Sequence, residues 1–325
     1  MQEQSMRNAI INGDMRIAQR GTSFAAIANG AYSLDRWQYG KVGTMVHTIT
    51  QDTDIPNNQF RSSLKLDVTT ADAAMAAGDV CIVQQKIEGY NFRKLMDQTA
   101  TLSFWVKAGK TGTLCVSFRN SGLDRSYVVE TTIDSANTWE QKSITLVFNE
   151  SGGTWDYANG TGLIVGFVLA AGSSWQTTAD AWQTGNYVIT SSQTNFVDNT
   201  DATCDVWITG VQLELGDTAT DFEFLDYESQ LFACYRYYYE SSSSEVGVTC
   251  YAASGTNYHT PVAFLAPMRA PPTFAWTQAV PPNGFPVGAP TWQAIGTTGA
   301  RPYKTCNSTG NGRYYYGQYR ADAEL

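Results

Sequence analysis

Apolar and polar side chains alternate with a period of two through the first two thirds of the chain, the mark of strands buried on one face. Runs of this kind predict strands at 36–40, 45–51, 63–68, 81–88, 100–108, 113–119, 126–133, 140–148, 163–170 and 204–215. Clusters of Gly, Asn, Asp and Ser separate them. Residues 1–30 begin polar, turn at Asn12-Gly13-Asp14 and run on to an Arg20-Gly21 turn, the pattern of an edge strand. Helix is predicted only as an Ala-rich run at 70–77 and one turn at 92–96. Many short strands and a long connection at 171–203 predict a jelly-roll β-sandwich over residues 1–227, two antiparallel sheets burying their apolar faces against each other.

The last of these strands leads into a junction at 207–239. Strict alternation would put Trp207, Thr209, Val211, Leu213 and Leu215 on one face and Ile208, Gly210, Gln212 and Glu214 on the other, with Gly216-Asp217 ending the strand. Phe222, Leu225, Tyr227, Leu231 and Cys234 or Tyr235 then recur every three to four residues, which predicts a short helix or wound segment packed on one side. Tyr235, Tyr237 and Tyr239 restore period two. A connector from about 216 thus leads to a second, smaller β domain at 228–325, with strands at 235–240, 246–252, 260–265, 273–276, 291–296 and 313–320. Prolines in 279–290 would forfeit ladder hydrogen bonds, so that stretch reads as an exposed loop or a subunit contact.

Composition narrows the function. Only 16% of the 325 residues are charged, against 28 Gly and 18 Tyr, a balance common in all-β proteins rich in turns. A net charge of −9 with no basic run argues against a nucleic-acid groove, which needs clustered Lys and Arg to displace counterions. The six cysteines, Cys81, Cys115, Cys204, Cys234, Cys250 and Cys306, are far apart and lack the spacing of a zinc motif. Apolar neighbours around Cys81 and Cys115 predict buried free thiols, as in a protein assembled in a reducing cytosol. The N-terminus lacks the apolar core of a signal peptide, and no apolar run approaches the ~18 residues of a membrane helix, so neither cleavable export nor membrane insertion is expected.

No nucleophile elbow, metalloprotease motif or phosphate loop is present, and the two histidines, His47 and His259, stand far apart. His47 lies in an alternating strand and reads as structural or exposed. Thirty acidic residues leave open the two carboxylates of a glycoside hydrolase, but the chain lacks the short repeats of a solenoid depolymerase. Trp155, Asp156 and Tyr157 at 152–160, with Trp175 and Trp182 at 173–182, combine flat rings with polar neighbours and are candidate glycan-binding residues. The alternative is that these tryptophans cap the sandwich. Asn12 and Asp14 could help to hold calcium, or could form a plain Asn-Gly turn; no other metal or cofactor is expected. Tyr235, Tyr237 and Tyr239, like Tyr314 and Tyr316, sit in segments aromatic on both faces, which makes them candidates for a subunit or domain interface.

The junction resembles one in tailed-bacteriophage virion proteins, tail fibres and head fibres among them, where a strand of the type Ile-Thr-Gly-Val-Gln-Leu-Glu-x-Gly closes a jelly roll and an aromatic Arg-Tyr-Tyr strand opens the next module. Asn8-Ala-Ile-Ile-Asn-Gly-Asp-Met-Arg-Ile-Ala-Gln-Arg-Gly-Thr22, Leu34-Asp-Arg-Trp37, Leu102-Ser-Phe-Trp-Val-Lys-Ala-Gly109, Pro267-Met-Arg-Ala-Pro-Pro-Thr273 and the closing Ala321-Asp-Ala-Glu-Leu325 extend the resemblance over almost the whole chain. It implies a non-enzymatic virion protein with a jelly roll like those of carbohydrate-binding modules, made in the host cytoplasm and assembled as a homo-oligomer, a trimer foremost, with other virion proteins. The leading expectation is a tail-fibre or receptor-binding component that contacts host surface glycans. The alternative is a head fibre or capsid decoration protein without essential glycan binding, and a depolymerase comes third. A jelly roll starting within about a dozen residues of Met1 leaves little room for a coiled stalk and favours a short appendage.

Overall fold

A computed structural model of the chain describes residues 7–148, 152–241, 246–280 and 284–325. They fall into two compact units, Met1–Leu225 with Leu325 and Asp226–Glu324, and both are built almost entirely from antiparallel β-strands.

In the first unit the strands are β1 (Ser23–Phe24), β2 (Gln38–Val42), β3 (Val46–Asp52), β4 (Ser63–Thr70), β5 (Val80–Glu88) and β6 (Thr99–Ala108). They continue with β7 (Gly112–Asn120), β8 (Arg125–Ile133), β9 (Glu140–Val147), β10 (Thr161–Ala171), β11 (Trp182–Thr184) and β12 (Val206–Leu215). Among the described residues they form two six-stranded sheets, ordered β1-β3-β4-β12-β6-β9 and β11-β8-β7-β10-β5-β2. The chain changes sheet at nearly every step from β4 to β12, which is the winding of a jelly roll. Leu102, Phe104 and Val106 of β6 point inward, and Phe104 meets Phe167 of β10 edge to face with centroids 4.9 Å apart. Both rings are fully buried, each worth about 2 kcal/mol of removal from water. The same alternation turns Ser103, Trp105 and Lys107 outward on the first sheet.

Three expectations for this unit need correction. Residues 8–18 form no strand, because Asn12 and Met15 take positive φ (58° and 61°) and break the extended path. The segment is held instead along β12, by Ala9 N–H to Leu213 O and Val211 N–H to Gly13 O, both at 2.9 Å. A Cβ on Gly13 would lie 2.1 Å from Val211 O, so only glycine permits that approach. The Ala-rich run at 70–77 is not helical. Eight residues are too few to nucleate a helix unaided, and the Asp72 N–H bonds to Val197 O instead.

The third correction lies in β12 itself. Its pairing with β6 shifts register between Thr209 and Gln212, where Gly210 adopts φ +62°. This bulge switches the faces midway: Ile208, Val211 and Leu213 all enter the core, whereas Trp207 and Thr209 face outward. Alternation alone had put Trp207 and Val211 on one side.

In the second unit the helix Tyr227–Tyr235 starts at Asp226, whose Oδ1 accepts the Ser229 N–H at 2.8 Å. The strands that follow are β13 (Tyr238–Glu240), β14 (Val246–Ala252), β15 (Asn257–His259), β16 (Val262–Ala263), β17 (Thr273–Val280), β18 (Thr291–Gln293), β19 (Gly299–Thr305) and β20 (Gly310–Asp322). β20 pairs with β13, β14 and β17, and β19 pairs with β15, β16 and β18. Tyr235 therefore ends a helix and does not open a strand. Phe274 and Trp292 stack at 3.8 Å beside Tyr319 in this unit's own core.

Candidate functional site

A pocket of about 190 Å³ opens on the outward face of the first sheet. Its floor is Trp105 and Ser103 of β6, Gln141 of β9 and Gly210 of β12; its wall is Asn57, Gln59 and Phe60 from the β3–β4 loop with Asp221, Phe222 and Phe224 from the segment after β12. Gly210 makes the floor possible. A Cβ there would come within 2.8 Å of Phe60 Cζ and 3.0 Å of Trp105 Cδ1, so both rings settle onto the sheet over a missing side chain. Phe60, Phe222 and Phe224 pack mutually at 4.8 to 5.5 Å, and Phe224 remains 43% exposed at the mouth.

The polar groups here are uncommitted. Of the seven tryptophans in the first unit, six donate their indole N–H to protein: Trp37 to Asn12 O, Trp139 to Asp54, Trp155 to Gly152 O, Trp175 to Gly78 O, Trp182 to Val147 O and Trp207 to Asp52. Trp105 alone, among the described residues, has no such partner. The Gln141 and Gln59 amides and the Asp221 carboxylate are likewise without a side-chain hydrogen bond, while Asn57 uses only its Oδ1, which accepts from Gln59 N–H at 2.9 Å. A flat apolar wall with free donors and acceptors at its rim can stack on the C–H face of a sugar ring and take its hydroxyls. The volume is below the ~300 Å³ of sites for drug-sized ligands, which fits one ring at a time.

The residues singled out from sequence are placed elsewhere. Trp155, Tyr157 and Trp182 gather around Phe92: Phe92 lies parallel to Trp155 at 5.2 Å and to Tyr157 at 6.4 Å, and Trp182 meets Trp155 edge-on at 5.7 Å. Trp155 and Trp182 pack on the main core, and the Asp156 Oδ1 accepts the Ala158 N–H at 2.7 Å. Tyr157, 38% exposed, offers the cluster's open edge. Trp175 stands apart, against the apolar patch of Val80, Ile82 and Val168 on the outer face of the other sheet.

Asn12 offers nothing to calcium. Its Oδ1 accepts the Ile17 N–H at 2.9 Å and its amide donates to Ile17 O and Asp35 O, while the Asp14 Oδ2 pairs with Arg16 at 3.0 Å. Burial pushes the Asp14 carboxyl up, against the pull of Arg16. Among the described residues no three His, Cys, Asp or Glu side chains are grouped for a metal ion. The tyrosines named as interface candidates are placed as follows. Tyr239, 7% exposed, packs in the second unit's own core, where it meets Tyr235 at 5.0 Å, and Tyr237 is fully buried. Tyr314 and Tyr316 fall on β20, but their side chains lie outside the described residues.

Trp105 does carry a signal in the sequence: in Leu102-Ser-Phe-Trp-Val-Lys it occupies an outward, otherwise polar position. Phe222 and Phe224 followed a two-residue spacing inside a segment read with helical period.

No protein-family profile matches the chain, and no curated protein does. Among solved structures it is similar to the enzymatically active domain of tailspike protein 4 of bacteriophage CBA120, at 18% identity and a TM-score of 0.33, over 59% of this chain and 21% of that one. The chain thus spans about a fifth of that structure's length. It is also similar to the C-terminal family 22 carbohydrate-binding module of a Clostridium thermocellum protein, at 15% identity and a TM-score of 0.32, over 59% of this chain and 99% of the module. A family 11 module from the same organism, solved with a mixed-linked tetrasaccharide, gives 8% identity and a TM-score of 0.32 over 62% and 98% of the two chains.

Proposed function

We propose that the chain is a bacteriophage virion component of the tail-fibre or receptor-binding type, which attaches to host surface glycans through the outward face of its first sheet and does no chemistry on them. The observation that carries the glycan reading is Trp105, an outward indole with an uncommitted N–H, set among three phenylalanines and free amides. The phage setting rests on the sequence strings at 8–22, 34–37 and 207–239. A hydrolase needs two carboxylates at ~5–10 Å about the scissile bond. Among the described lining residues, Asp221 is the one acid.

An array of host polysaccharides and their fragments tests the reading. Wild type is expected to bind at least one glycan, with binding lost in Trp105→Ala and weakened in Phe224→Ala. Binding unchanged by both substitutions would overturn the site, and release of reducing sugar would overturn the non-enzymatic role. Antibody labelling of intact particles is expected to decorate the tail; labelling confined to the head would favour a decoration protein.

A further inference from the structure

Beside the pocket the same outward face carries a second row of rings. Along β6, Trp105 and Lys107 are two residues apart, ~7 Å, a spacing on the scale of one sugar ring. The Lys107 ammonium lies over the Trp207 ring at 4.0 Å and over the Trp139 ring at 5.7 Å, and it pairs with Asp54. The half-buried Trp139 is held by its indole N–H, 2.8 Å from the other Asp54 oxygen. Asp54 comes from the loop that also supplies Asn57, Gln59 and Phe60 to the pocket, so one segment borders both rows. Lys65 continues the row, 5.1 Å from the Trp207 centroid and 2.9 Å from Asp205.

The charge on this row has a sign. Both ammoniums are already paired, and Asp52 and Asp67 add to Asp54 and Asp205, giving four carboxylates to two cations. A ligand carboxylate would meet repulsion from these acids, and neither Lys65 nor Lys107 is unpaired to receive it, whereas a hydroxyl or an acetamido group would find acceptors. A locked indole costs little entropy to stack upon.

We infer that the pocket is one end of a two-subsite cleft, in which a neutral glycan, of hexose or N-acetylhexosamine units, runs from Trp105 to Trp139, and that acidic glycans are excluded. This rests on the glycan reading of the pocket. The test is calorimetric titration of the whole chain with cello-, malto-, galacto- and chito-oligosaccharides of one to four units, and with polygalacturonate. At least one neutral series is expected to gain about tenfold in affinity from one unit to two. Trp139→Ala should erase that gain and leave the single sugar unaffected, while Trp139→Phe, which keeps a ring, retains most of it. Trp105→Ala should abolish binding of both lengths. A length dependence that survives Trp139→Ala, with Trp105→Ala still inactive, overturns the second subsite and leaves the pocket standing. Tighter binding of polygalacturonate than of any neutral series overturns the charge argument, and no response to any sugar overturns both readings.

Discussion

The Tyr39 hydroxyl and the His47 Nδ1 meet at 2.7 Å inside the first unit, with both side chains wholly buried. Burial keeps the phenol protonated, so Tyr39 donates, and the Nε2 on the far side of the imidazole has no partner. Burial above all, helped by the Lys41 ammonium, lowers the His47 pKa from 6.5 to about 4. The unfolded chain therefore takes up this proton before the folded one does. Stability from His47 is complete above pH 6.5 and falls as the pH drops towards 4, by about 3 kcal/mol at the end of that window. Asp14 and Asp35, raised by burial, act in the opposite sense just above their ordinary range, so the comparison must be between variants. In urea unfolding at pH 7.5 and pH 4.5, His47→Gln is expected to lose much less stability on acidification than wild type. Equal losses would contradict the burial argument.

Thiol chemistry gives a second expectation. Cys81, Cys115, Cys204, Cys234 and Cys306 are buried, Cys250 is half-buried, and all six are free. Burial pushes the Cys81 thiol up to about 12 and raises Cys115 and Cys204 as well. A thiol both protonated and inaccessible does not attack a disulfide reagent. At pH 8 the native protein should release at most one equivalent of chromophore from Ellman's reagent, assigned to Cys250 by loss in Cys250→Ser. In denaturant the count should rise to six.

Much of the first unit was legible because its strands are buried on one face, and burial on one face writes itself as alternation. The expected 81–88 and 100–108, for instance, are Val80–Glu88 and Thr99–Ala108 in the structure. Local pattern failed where a single backbone geometry decided the outcome. The bulge at Gly210 carries no alternation signal of its own, yet it exchanges the faces of β12 and creates the pocket floor. The opening string misled the pattern for a structural reason: the Asn12 amide holds Ile17 and Asp35, and Trp37 donates to Asn12 O, so these residues fix a turn-rich segment that forms no strand. The aromatic loops at 152–182 were conspicuous by composition. Composition does not say where an indole N–H points.

Gly210→Ala tests the link between that bulge and the site. The added methyl would meet Phe60 and Trp105 in a left-handed backbone that costs an alanine about 1 kcal/mol even in open space. A fall in thermal stability of several degrees is expected, together with weaker glycan binding as the two rings are pushed apart. Lost stability with full binding would show that the floor does not position the rings. Gly216→Ala is the matched control, with φ +115° and open space around its Cβ: it should carry a backbone penalty and leave binding intact.

The sharpest contrast is between Trp105→Phe and Trp155→Phe, because each keeps an aromatic ring and removes one indole N–H. In Trp155 that N–H is 2.8 Å from Gly152 O, so its loss leaves a carbonyl underused and should cost about 1 kcal/mol of stability with glycan affinity unchanged. In Trp105 it has no protein partner, so folding should hardly notice the change, while a glycan hydroxyl that accepts this N–H loses a hydrogen bond worth about 1 kcal/mol, or roughly a fivefold weaker Kd. Chemical denaturation and calorimetry on the same two samples read both quantities. The reverse pattern, with Trp155→Phe weakening binding and Trp105→Phe weakening the fold, would move the site from the sheet to the loops.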